Sequence, residues 1–173
     1  ASDGSVRKAP ALICVDGQAY PALALTAFLQ GSRSADWPVT LEPGSSLLDP
    51  AYMLSLDDYP GLNIPLDSEG NMRVSYANDP SVYRAISAID VLNGSADASL
   101  LEGTWALVGA TAFSMGDIVP TPYSGAVPGV ELQARLLGSL LDVDVPYTPR
   151  GAVWILALFS IFFAVGLYYL SSF

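Results

Sequence analysis

The sequence predicts an α/β domain, a mixed sheet flanked by helices, followed by one membrane-spanning helix. Three observations carry this. Short apolar runs of strand length alternate with stretches at helical spacing. One hairpin pattern interrupts the alternation, which makes the expected sheet mixed rather than purely parallel. All 17 acidic and 7 basic residues precede residue 151, and the uncharged run 151–170 is about 30 Å long as a helix, the thickness of a hydrocarbon core.

The elements follow in order. Asp3-Gly4 has turn chemistry, and the apolar run 11–15 suits a buried strand. Pro21 fits a first helical turn and Gly31 the position past its end, with Leu25, Phe28 and Leu29 on the inner face. Residues 31–61, rich in Ser, Gly, Pro and Asp, read as a connection with one short strand between Leu47 and Leu56. Leu62–Leu66 and Met72–Tyr76 read as two arms of a hairpin around the turn Asp67–Gly70. Asp79 as N-cap, Pro80 as first residue and Asn93-Gly94 as stop predict a helix with the apolar stripe Val82, Ile86, Ile89. The run 104–110, TWALVGA, reads as a buried strand. A last helix starts near Pro128-Gly129, with Leu132, Leu136, Leu137, Leu140 and Leu141 facing inward. In the terminal run, Trp154 near one end and Tyr168 and Tyr169 near the other are placed for the two membrane interfaces.

Composition removes several classes of function. A net charge of −10 argues against a nucleic-acid footprint and against docking on anionic lipid. With no histidine, neither a Ser-His-Asp or Cys-His arrangement nor a His-ligated zinc site can be built from this chain. No phosphate-cradling glycine motif and no nucleophile elbow is present. The single cysteine, Cys14, reads as a small buried thiol in an apolar strand. No cofactor is implied.

Several motifs then occur in one order. They are Asp-Gly-x-x-Arg at 3–7 with Pro10 after it, Tyr-Pro-x-Leu-Ala-Leu at 20–25, Ile-Pro-Leu-Asp with Gly70, and Ser-Ala-x-Asp-Val-Leu at 87–92. Val-Gly-Ala-Thr at 108–111, Gly-Asp-x-x-Pro-Thr-Pro at 116–122, and Pro-Gly-Val-Glu at 128–131 with Gln133-Ala134 complete the series. In that order, with an apolar helix next, the chain resembles the CHASE2 domain, an extracytoplasmic sensor of bacterial transmembrane signalling proteins. The resemblance implies a domain at 1–146, a linker at 147–150 and a transmembrane helix at 151–170. It implies residence in the inner membrane, with residues 1–150 periplasmic. It also implies a partner module in the cytoplasm, a nucleotide or diguanylate cyclase or a kinase. Homodimers or other membrane chains are further expected partners, and any catalysis is expected in the output module. Strands and helices that precede the Asp-Gly-x-x-Arg segment in that family are absent here, so the expectation is an incomplete domain that needs a preceding segment to finish its core.

The loop 109–125 leaves the carboxyl end of an expected strand, where open α/β sheets hold ligands. Asp117, Thr121 and Glu131 are its candidate ligand-binding groups. Each has a plain alternative: a turn former, a brace between prolines, and a carboxylate complementing a helix N-terminus. A hard cation is a further alternative without recognisable loop spacing, and Asp117 with Glu131 could form a catalytic carboxylate pair. Gly116, Gly125, Pro128, Gly129, Pro146 and Pro149 are candidates for coupling. The two loop glycines are expected in backbone conformations costly to other residues, and the prolines limit slack between the last soluble helix and the membrane run. Sensing is the leading reading; a membrane-anchored assembly subunit is the alternative.

Overall fold

A computed structural model describes residues 3–31, 38–57, 59, 61–111 and 117–171. The α/β architecture and the terminal apolar helix are both present. The strands are β1 (Lys8–Pro10), β2 (Leu12–Val15), β3 (Gln18–Pro21), β4 (Val39–Pro43), β5 (Tyr52–Leu56), β6 (Asn63–Leu66), β7 (Asn71–Arg73), β8 (Ile118–Val119) and β9 (Val127–Pro128). The helices are α1 (Leu23–Gly31), α2 (Ala88–Leu92), α3 (Gly129–Leu141) and α4 (Ala152–Ser171). Among the described residues the pairs are β1-β7, β2-β3, β4-β5-β6 and β8-β9, every one antiparallel, in place of one continuous mixed sheet. The physical reason lies at 104–111: the run expected as a buried strand joins no ladder, and without it no parallel pair forms. Trp105 is half exposed and Val108 is 93% exposed, while Leu107 still packs on the core.

Local chemistry explains most elements. Asp16 and Gly17 both have positive φ (51° and 77°), the type I′ geometry that Asp-Gly favours, and so close β2 onto β3. This hairpin is solvent-exposed, and Cys14 is exposed with it, correcting the buried-thiol expectation. Pro21 ends β3 instead of opening α1, and its carbonyl accepts the Thr26 hydroxyl at 2.9 Å. The connection 31–61 holds two strands, β4 and β5. The turn at Asp67–Gly70 forms, but its arms part: β6 pairs with β5, and β7 with β1. The expected helix at 79–93 is a 3-10 turn, Pro80–Val82, and the short α2, with Ser87 extended between them. Val82 and Ile89 are exposed. Helices this short are marginal without a surface to pack on, and none of the described core covers this stripe.

The core sits where α1 packs on α3 and both meet the small sheets. Leu25 and Leu29 of α1 and Leu132, Leu136, Leu137 and Leu140 of α3 are buried against Leu54, Ile64, Leu66 and Met72. Leu141, expected inside, is exposed one position round the helix from Leu140. No side chain of α4 is buried, as suits a helix whose surroundings are not part of the domain. α4 is long and apolar enough to cross a membrane.

Candidate functional site

α3 runs from the loop singled out in the sequence towards α4, and the candidate residues gather at its two ends. At the start, β8 and β9 form a two-rung ladder, Ile118 opposite Pro128 and Val119 opposite Val127. The Gly129 N–H donates to the Asp117 carbonyl at 2.7 Å. The Asp117 carboxylate lies close by: a Cβ added at Gly129 would fall 2.9 Å from Oδ2. The acid therefore lies near the positive end of the helix dipole. Thr121 is buried and closes the loop, its N–H donating to the Ser124 carbonyl at 2.7 Å and its hydroxyl accepting from the Ser124 N–H at 3.1 Å. The Val6 N–H donates to the Pro120 carbonyl at 2.8 Å, tying the loop to the N-terminal segment.

Glu131 serves a neighbour. Its Oε1 accepts from Arg135 Nε at 3.2 Å and from a terminal nitrogen at 3.0 Å. Arg135 is buried, donates also to the Asn78 carbonyl at 3.2 Å, and lies 5.4 Å and 5.2 Å from the ring centroids of Tyr76 and Tyr83. A buried charge needs this set of partners to offset desolvation. Asp117, Thr121 and Glu131 are thus all drawn to the start of α3, and all have partners or neighbours inside the protein. Among the described residues no group of three His, Cys, Asp or Glu side chains could hold a metal ion.

Sequence reasoning missed the aromatic ground beside this cluster. Tyr76 donates to the Val6 carbonyl at 2.6 Å, and its ring lies 5.8 Å from that of Tyr123. Burial raises the Tyr76 pKa above its ordinary value, against the opposing pull of Arg135. Tyr76, Tyr123, Tyr147, Arg73 and Pro146 line a shallow cleft of about 340 Å³. The alternation of Met72, Val74 and Tyr76 was visible in the sequence, but the meeting of Tyr76 with Tyr123 and Tyr147 depends on tertiary structure.

The coupling candidates divide. Gly116 lies outside the described residues. Gly125 is not in the left-handed region, so the expected backbone constraint is absent there, and among the described residues no atom lies within 4 Å of a Cβ added to it. Gly129 and Pro128 do sit at the helix start, Pro128 as N-cap and strand end. Pro146 borders the cleft, and the Pro149 carbonyl accepts the Ala152 N–H at 3.1 Å in the first turn of α4. The stretch between α3 and α4 is docked along the domain. Val145 packs on the core, and Arg73 donates to the Thr148 hydroxyl. Beyond it, the β4–β5 connection grips the start of α4: the Gly151 N–H donates to the Leu47 carbonyl at 2.8 Å, the Arg150 N–H to the Asp49 carbonyl at 2.9 Å, and the Arg150 guanidinium to the Gly44 carbonyl at 2.7 Å.

A small α/β domain held at two places to the head of a helix long enough to cross a membrane has the layout of a membrane-anchored module. The CHASE2 domain family model matches residues 1–168, and the chain belongs to that family of extracellular sensory domains. The match runs into α4, so most of the apolar helix lies within the matched region. Comparison with curated proteins and with solved structures finds no match.

Proposed function

We propose that residues 1–150 form an extracytoplasmic sensor, on the periplasmic side of an inner membrane, that detects a stimulus and passes it through α4 to a cytoplasmic cyclase or kinase module. The chain has no catalysis of its own in this reading. The observation that carries it is the unbroken mechanical path from the β8–β9 loop through α3 and the docked 142–149 stretch to the clasp on Arg150 and Gly151. Changes at the loop shift α3, and a short, bonded connection transmits the shift with little lost in slack. The contacts of Asp117, Thr121 and Glu131 favour a bracing role over a ligand role. Paired topology reporters test the reading: fused at Tyr147 they should report the extracytoplasmic side, and after Phe173 the cytoplasm. A cytoplasmic signal at Tyr147 sinks it.

The run 104–110, which joins no strand ladder among the described residues, with Val108 almost fully exposed, favours a second reading, a membrane-anchored assembly subunit that meets another chain there. Loss of an oligomer on Val108→Asp with an unchanged monomer fold would support it, whereas a monomeric parent would remove it.

A further inference from the structure

We propose that the β4–β5 connection, residues 44–50, seats in the lipid–water interface beside the first turn of α4, with Leu47 and Leu48 as a second membrane contact of the domain. The inference rests on the reading that α4 crosses a bilayer. Three observations carry it. The hydrogen bonds from Arg150 and Gly151 to the carbonyls of Gly44, Leu47 and Asp49 hold this connection level with the head of α4. A helix of 20 residues spans about the thickness of a hydrocarbon core, so its head lies at the interface, and the connection lies there with it. At that level Leu47 is 57% and Leu48 63% exposed, beside the short, polar and exposed Ser45 and Ser46.

The polar groups are already arranged for this. The Asp49 carboxylate accepts from the Ser45 N–H and hydroxyl at 3.0 Å and from the Ser46 N–H at 2.7 Å. The acid is thereby turned into its own turn, and these hydrogen bonds hold its pKa below the ordinary carboxylate value. The connection carries no Lys or Arg, and the guanidinium of Arg150 is bonded to it. The contact is therefore apolar insertion rather than attraction to anionic headgroups, and it needs no anionic lipid. Close approach of the clasp to α4 depends on Gly151, where an added Cβ would fall 2.7 Å from the Leu47 Cβ and carbonyl oxygen.

The test uses the full chain in phosphatidylcholine nanodiscs. A nitroxide is attached at Leu48→Cys in a Cys14→Ser background, with Leu158→Cys on α4 and Tyr20→Cys on the β2–β3 hairpin as references. Collision with oxygen, which partitions into lipid, is compared with collision with a water-soluble nickel chelate. Position 48 should show an oxygen-to-nickel ratio severalfold above position 20 and below position 158. Adding a Leu48→Trp variant whose extra emission is quenched by brominated lipid would support the same result without a label. A nickel-accessible position 48 beside an oxygen-rich position 158 overturns the proposal and leaves the membrane-spanning reading standing. Shielding of position 48 from both reagents means that protein covers it, and also overturns the proposal. A nickel-accessible position 158 overturns both.

Discussion

Arg135 shows how a single residue can organise the neighbourhood of a candidate site without acting in it. Its side chain is 5% exposed and meets Glu131, the Asn78 carbonyl and two tyrosine rings. Glu131 is 30% exposed, so removing Arg135 leaves a partly solvated carboxylate and an unpaired Asn78 carbonyl; Arg135→Ala should cost about 1–3 kcal/mol, and Arg135→Met, which refills the space, clearly less. Urea unfolding of the chain in micelles, followed by aromatic fluorescence, measures both; equal losses would remove the packing argument. Asp67 gives a pH signature. Burial alone would raise its pKa, but bonds from Lys8, Asn71 and the Glu69 N–H outweigh it and lower the value from 3.8 to about 2. The folded value is the lower one, so the stabilisation is whole above about pH 4 and is lost as pH falls towards 2. After solvent screening it amounts to on the order of 1 kcal/mol. Melting temperature against pH should show this slope in the parent and lose it in Asp67→Asn.

At the scale of elements, the exit of α3 carries an unusual feature. The Val143 N–H donates to the Leu140 carbonyl at 3.4 Å and the Asp144 N–H to the Ser139 carbonyl at 3.0 Å, the Schellman pattern, with Val143 at φ 55° where glycine is usual. A β-branched residue there is strained. Val143→Gly should therefore stabilise the domain by roughly 1 kcal/mol, raising its melting temperature by a few degrees, since Val143 is exposed and little packing is lost. A lower melting temperature would show that Val143 packs usefully in some other state. The loop glycines separate in the same way. A Cβ at Gly109 would fall 2.5 Å from the Val130 Cβ, whereas one at Gly125 has no neighbour within 4 Å among the described residues. Gly109→Val should cost on the order of 1–3 kcal/mol and Gly125→Val within about 0.5 kcal/mol, read by the same unfolding experiment. The reverse order would restore Gly125 as the constrained position.

For the whole molecule, the question is how the domain and α4 move together. The clasp at Gly44, Leu47 and Asp49 gives α4 a second attachment besides the stretch that follows α3. With both in place, a rotation of α3 cannot be absorbed at residues 150–151. Gly151→Val should force the clasp open without touching the core. Hydrogen exchange at the Arg150 and Gly151 amides should then accelerate at least severalfold, and signal output of the full-length protein should lose its dependence on the domain while its membrane level stays normal. Unchanged exchange and unchanged output would mean that the clasp plays no part in coupling.

What the sequence determined by itself is local. The turn at Asp67–Gly70, the α3 start at Pro128-Gly129, its Leu132, Leu136, Leu137 and Leu140 face, and the apolar α4 depend on neighbours within a few residues, so propensity and periodicity reveal them. The ordered motifs identified the family, which the match over residues 1–168 establishes. Tertiary structure decided the rest. The arms of the 62–76 hairpin look self-complementary in sequence, yet β6 pairs with β5 and β7 with β1. The runs 82–92 and 104–110 have the pattern of core elements, yet Val82, Ile89, Leu92 and Val108 lie exposed and only Leu107 of these runs packs on the described core, because burial requires a second surface. The same holds for the site. Asp117 and Glu131 were visible as candidate acids, but what each is for depended on Gly129 and Arg135 arriving beside them. The clasp on Gly151 was invisible because its two halves are about a hundred residues apart, and backbone carbonyls leave no mark in a sequence.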